Sequence, residues 1–342
     1  MMLFLLNFTP FAAQRLVLSD KDGAETLLVV VKGTFDLTRS PPGPPPPVPK
    51  AEQLPVALAD EYAGAPEKTS IVMPADIALK KPAADVLLQG SAWGGGRPQV
   101  DVALRMGPIQ KVLRVSGDRA WQSFLGMASL PKPQPFEKMP LVYERAFGGT
   151  DASNPDTPPE MAPNNPVGVG FRGSKSKAPV IGSPLPNIEL PDAPLTRPGG
   201  RPASGGFGPI PGAWQPRVAY VGTYDEKWEK DVSPLLPDDF DDRFFQIAPA
   251  DQILPGYIQG GESVEVVNAT REGVLRFTVP TVRLTMQVRI GMEDVALEPR
   301  CDTLSINTDT MRLVMVWRAS VGIHGRLPEV SWITVRKEAA RG

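Results

Sequence analysis

The residue types that most often carry chemistry are scarce in this chain, and their neighbours narrow what it can do. Histidine occurs once, His324, in the run Gly322-Ile323-His324-Gly325, and cysteine once, Cys301, between Arg300 and Asp302. A Ser-His or Cys-His nucleophilic pair would rest wholly on that single imidazole, and no G-x-S-x-G turn is present to aim a serine. His324 therefore reads as a loop histidine, Cys301 as an inert thiol, and no catalytic residue is assigned. Transition-metal sites draw most of their ligands from His and Cys, so no metal is expected. Asp238, Asp239, Asp241 and Asp242 form the densest carboxylate cluster, and oxygen ligands of that kind suit calcium. Their stretch lacks the turn glycine and the distal glutamate of an EF-hand loop, and with Arg243 inside it reads as a solvated turn. Gly94-Gly95-Gly96 and Gly205-Gly206-Phe207-Gly208 are not followed by Lys-Ser/Thr and a helix, so no phosphate loop and no cofactor is expected.

A pair of carboxylates needs no histidine and is the best enzymatic alternative. Asp60, Glu61, Glu144 and Glu262 sit beside aromatic or glycine residues, as in many sugar sites. That reading gives a hydrolase acting on carbohydrate or peptidoglycan. With 38 acidic residues in the chain, such neighbours arise by chance, so the first reading is a protein that is not an enzyme.

The elements that would position any site are strands. Residues 27 to 37 are β-branched and aromatic, and Asp20-Lys21-Asp22-Gly23 supplies a tight turn, so residues 11 to 37 read as a hairpin. Further strands are expected at Asp85 to Trp93, Gln99 to Met106 and Gln110 to Ser116, with Gly107-Pro108 as a turn. In Gln99 to Met106, Val100, Val102, Leu104 and Met106 alternate with Asp101, Ala103 and Arg105, the period of a half-buried strand. A later group comprises Ser263 to Val267, Val274 to Val279, Val282 to Ile290, Leu304 to Asn307 and Arg312 to Trp317. Runs 100 to 115 and 284 to 299 share a strand-turn-strand outline, which a duplicated unit or any two hairpins would give. Met1 to Leu6 is apolar but short, without the basic start of a secretory signal, and reads as the first strand.

Forty prolines and 32 glycines raise the question of disorder, and their distribution answers it. The prolines gather at Pro41 to Pro49, read as a stiff surface connector that cannot pair in a sheet, and between Pro131 and Pro237. The second stretch also holds Phe136, Tyr143, Phe147, Phe171, Phe207, Trp214, Tyr220, Tyr224 and Trp228, residues that a disordered linker lacks. It reads as an ordered, irregular crossover lying on the β core, with one short helix at Thr223 to Lys230. Three regions follow: 1–130 β, 131–240 irregular, 241–342 β. The fold expected is mainly β, with antiparallel sandwich-like or barrel-like sheets and little helix.

A net charge of -2 provides no basic field for nucleic acid or anionic lipid, so neither is expected as a partner. No apolar run reaches membrane-span length. A single cysteine fits a reducing compartment, and the cytoplasm is the expected location.

Several blocks are recognisable as words: the opening run at 7–37, LADEYAG (58–64), PQPFEKMPLVYERAFGGTD (133–151), NNPVGVGF (164–171), GFGPIPGAWQPRVAYVGTYDEKW (206–228), PLLPDDFDDRFFQIAPADQ (234–252) and DTLSINTDTMRLVMVWRAS (302–320). They resemble a bacterial uncharacterised-domain family that accompanies type VI secretion gene clusters, often beside genes for PAAR spike-tip proteins, VgrG spikes or toxic effectors. The resemblance implies an adaptor or chaperone that binds a secreted effector, or its PAAR- or spike-linked part, and aids its loading. A structural component or cargo of the apparatus is a further alternative. Long loops on a β scaffold commonly carry recognition, and Tyr, Trp and Arg dominate interface energetics. Tyr143, Arg145, Phe147, Trp214 and Tyr224 are accordingly the candidate partner-binding residues.

Overall fold

The structure is a computed structural model that describes residues 4–39 and 43–338. It is mainly β, with several mostly antiparallel sheets and one short helix. The largest sheet has six strands in the order Ile253–Leu254, Ala84–Gln89, Arg300–Asn307, Arg312–Gly322, Glu25–Asp36 and Ala12–Ser19. A five-stranded sheet runs Ile188–Glu189, Ile109–Ser116, Gln99–Met106, Ser263–Val267, Val274–Thr278, and a four-stranded one Phe4–Asn7, Val330–Lys337, Leu284–Ile290, Glu293–Leu297. Among the described residues no sheet closes into a barrel, so the architecture is one of packed open sheets. The early and late strands interleave: Arg300–Asn307 runs parallel to Ala84–Gln89, and Phe4–Asn7 parallel to Val330–Lys337.

One hydrophobic core joins the three large sheets. Val29, Val31 and Leu304 come from the first, Val102, Leu104 and Val264 from the second, and Met286, Val288 and Ile333 from the third. The alternation in Gln99–Met106 works as its pattern dictates, with Val102, Leu104 and Met106 sealed in the core and Asp101 and Arg105 outside. Glu25–Asp36 is buried along nearly its whole length on both faces, because Leu28, Val30 and Val316 meet Val56 and Ile77 on the side away from the main core. That is why its sequence is a continuous apolar run instead of an alternating one.

Several sequence expectations are corrected in detail. Residues 85 to 93 are not one strand. They break at Gly90, whose φ of 125° and close approach to Thr308 exclude a side chain, and the chain turns from Ala84–Gln89 into Ser91–Arg97 on a different sheet. The proline run does pair where it is described: Pro47 bridges Phe35, the Pro46 carbonyl accepts from Asp36, and Val48 is buried. Proline lacks an N–H but keeps its carbonyl, so it can accept at a strand end. Pro41 and Pro42 of that run, and Met1 to Leu3 of the expected first strand, lie outside the described residues. The helix occupies Glu226–Asp231, starting later than expected because the Asp225 side chain accepts from Trp228 N at 2.8 Å and caps it. Strand Glu293–Leu297 is the second arm of the strand-turn-strand read at 284 to 299, and Val330–Lys337, not assigned from sequence, completes the third sheet.

Candidate functional site

The irregular stretch from Pro131 to Phe240 wraps one side of the five-stranded sheet and encloses an open cleft of about 690 Å³. Its apolar walls come from Tyr143, Phe147, Phe171 and Ile210. Tyr143 is held by a hydrogen bond from its hydroxyl to the Gly208 carbonyl at 3.0 Å, and burial pushes its phenol well above the ordinary range. Gly206 must be glycine for this ring to sit there, since a Cβ would come 2.3 Å from the Tyr143 ring. Trp214 backs Tyr143 from behind.

Polar groups are few and placed. Asn165 is fully buried; its Nδ2 donates to the carbonyls of Tyr143 at 2.8 Å and Phe147 at 3.1 Å, while its Oδ1 has no partner among the described residues. Lys111 projects from Ile109–Ser116, buried itself, with its Nζ 2.8 Å from the half-exposed carboxylate of Asp251. Burial lowers the Lys111 pKa, partly offset by Asp251. Arg201 lies 4.5 Å above the Phe171 ring.

Beside the cleft stands a feature that the sequence reading missed. Strands Gln122–Phe124 and Met127–Ser129 form a two-stranded finger that pairs with no other strand among the described residues. Its tip is apolar and exposed: Phe124 64%, Leu125 84% and Met127 68%. Leu125 and Gly126 both take positive φ, 49° and 79°, in a turn geometry that favours Asn-Gly. Trp121, at the finger's base, packs with Phe147, Leu185, Leu195 and Phe171 in a small separate core. Phe147 and Phe171 also line the cleft, so this core is a common wall between finger and cleft. The signal available in the sequence was the Leu-Gly dipeptide between Ser123-Phe124 and Met127-Ala128, too brief to register as periodicity.

The five candidate anchors do not form one surface. Tyr143, Phe147 and Trp214 are buried and pack the crossover; the loops around them are polar, but chain from elsewhere covers the rings. Tyr143 and Phe147 still contribute edges to the cleft. Arg145 is partly exposed and lies in a separate hollow, donating to Asn187 Oδ1 at 3.1 Å. Tyr224 is 52% exposed and stacks edge-on with Trp228, 4.6 Å between ring centroids.

Several of the chemically suspect groups make structural contacts. Cys301 is buried and its thiol is pushed well up by that burial. Glu144 accepts from the Ser70 amide at 2.8 Å and from the Ser70 hydroxyl, Asp60 from Ala75 N at 2.7 Å, and Glu262 from Gln259 N at 2.7 Å. None of these carboxylates, nor Glu61, lines the cleft. Asp239 ties Thr223, and Asp241 pairs with Arg243 in a solvated turn. Among the described residues no group of three or more His, Cys, Asp or Glu side chains is placed to hold a metal ion. No helix among them is long and apolar enough to cross a membrane.

The profile of a bacterial family, described as an uncharacterized protein conserved in bacteria (DUF2169), matches residues 22–318. The chain belongs to this family. The matched span covers the whole crossover, the finger, all of the five-stranded sheet and the six-stranded sheet apart from Ala12–Ser19 and the end of Arg312–Gly322, so finger and cleft lie within the family's own domain. No curated protein and no solved structure matches the chain.

Proposed function

We propose that this protein is a binding module, an adaptor or chaperone of type VI secretion that holds an effector or its PAAR- or spike-linked part during loading. The type of machinery rests on the resemblance of the sequence blocks; the binding role is supported chiefly by the finger. An exposed apolar tip on a strained turn weakens solubility and adds nothing to the core, and such features mark contact sites. A convex knob of Phe124, Leu125 and Met127 fits an apolar groove on a protein. Residues 118–134 contain Arg119 and Lys132 as their only cations, too little to favour a lipid surface. The adjoining open cleft, with its apolar walls, suits an extended segment that continues from the same partner.

The test compares the tagged wild-type chain with a Phe124→Ser, Met127→Ser double variant, first by capture from the native host and then with the purified partner. Removing two central anchors is expected to weaken binding roughly 30-fold or more, with thermal melting unchanged. Equal affinity of the two proteins for an effector or spike component would remove the finger from the interface. Failure of the wild type to bind any such component would overturn the adaptor reading itself.

A further inference from the structure

On the six-stranded sheet, Arg300 and Arg318 stand directly opposite each other on the antiparallel strands Arg300–Asn307 and Arg312–Gly322. Like charges directly opposite across a strand pair are destabilising. Here they border a polar hollow of about 270 Å³, shared with Lys80, Lys81, Tyr257, Glu298 and Asp302.

Their counter-charges are unequal. Arg318 is buried, with its side chain 4% exposed. Its Nε donates to the Asp76 carbonyl at 2.7 Å, and its Nη1 donates to Asp302 and to Thr303 Oγ1. Nη2 has no partner among the described residues and is not sealed from the hollow. Lys81 is likewise buried and satisfied by Asp85 at 2.6 Å and Thr303 at 3.0 Å. Arg300, in contrast, is partly exposed, and its carboxylate is Glu298, 81% exposed and only two residues away. Its other nitrogen reaches the Tyr257 hydroxyl at 3.2 Å, and that hydroxyl donates to the Lys81 carbonyl at 2.8 Å. Lys80 adds a further cation at the rim.

We propose that this hollow is a binding site for a small oxyanion, with Arg318 Nη2 at the floor, Arg300 at the side and Lys80 at the rim as its donors. Guanidinium pairs are the usual recognition chemistry for carboxylate and phosphate because their donors form planar forks. Arg318 is oriented in advance by three bonds to fixed acceptors, so little is lost in ordering it. Glu298 holds the position of the ligand as a flexible, solvent-facing carboxylate, and the arriving anion replaces it on Arg300. Two sources share this chemistry: a free tetrahedral anion such as phosphate, and the terminal carboxylate of a polypeptide.

Calorimetric titration of the full chain at low ionic strength tests the site, using inorganic phosphate in one arm. A second arm uses triglycine with its carboxylate free or amidated. One saturable site is expected for phosphate or for the free-carboxylate peptide, and the stronger of the two identifies the source. Arg300→Gln should weaken that binding roughly tenfold, the effect of one charge-assisted hydrogen bond. Glu298→Gln should tighten it, an effect that damage to the fold cannot imitate. Arg276→Gln, on the five-stranded sheet, should leave it unchanged. No saturable binding of either probe, or affinities indifferent to Arg300→Gln and Glu298→Gln, overturns the proposal.

Discussion

Tyr143 meets Trp214 edge to face, with ring centroids 5.5 Å apart and planes at 83°. The pair joins the start of the crossover to its middle, and Ile210 and Val167 pack around it. Aromatic pairs in this arrangement add to the energy of simple burial. The contact therefore holds the cleft open in a fixed shape.

Truncating this pair should act on stability. Trp214→Ala and Tyr143→Ala are each expected to cost about 3–5 kcal/mol in denaturant unfolding, the range for large buried aromatics. Their effects should be less than additive, because each removal leaves the other ring without its partner. A variant that unfolds at the wild-type midpoint would mean that the ring is not packed as described.

The finger tip makes the opposite prediction. Leu125 holds a φ of 49° while 84% exposed, so its side chain gains almost nothing from burial and bears the left-handed penalty. Leu125→Asn, a residue that tolerates this conformation, should leave stability unchanged or raise it by up to about 1 kcal/mol. If Leu125 is part of the interface, the same variant should lose partner affinity. A drop in melting temperature with intact binding would show that the leucine serves the fold.

Lys111 and Asp251 should respond asymmetrically to removal. Lys111→Met takes away a buried cation and leaves Asp251 facing solvent, so near-neutral stability is expected. Asp251→Asn strands the ammonium and should cost about 2 kcal/mol at neutral pH, toward the low end for broken pairs because Asp251 is half exposed. The sign with pH follows from burial lowering the Lys111 pKa below the ordinary lysine value of 10.5. Between the folded and unfolded values the unfolded chain holds more protons, so stability rises with pH there. Without Asp251 the folded value falls further, and Asp251→Asn should recover part of its lost stability as pH rises. Parallel pH-stability curves for the variant and the wild type would contradict this pairing.

Much of the sheet structure was legible because its signals are local. The alternation of Val100, Val102, Leu104 and Met106 fixes a strand and its inner face within eight residues, and Gly107 fixes the turn that follows. The unbroken run of Leu27 to Val31 marks a strand covered on both faces before any neighbour is known. Composition likewise limited the chemistry, since one histidine and one cysteine leave little to build a nucleophilic site.

Burial of the aromatic residues was not local information. Tyr143 and Tyr224 both stand among polar and glycine-rich neighbours, yet one is sealed against Trp214 and Gly206 and the other lies open beside a helix turn. What covers a loop residue is chain from elsewhere, and nothing in its own neighbourhood encodes it. The same reason hid the finger, whose exposure depends on no other strand pairing with it, and the Arg300–Arg318 pair, which only the register of two strands brings face to face. Sequence by itself determined many of the strands and narrowed the chemistry, because both signals are local; tertiary structure alone decided which side chains are left for a partner to meet.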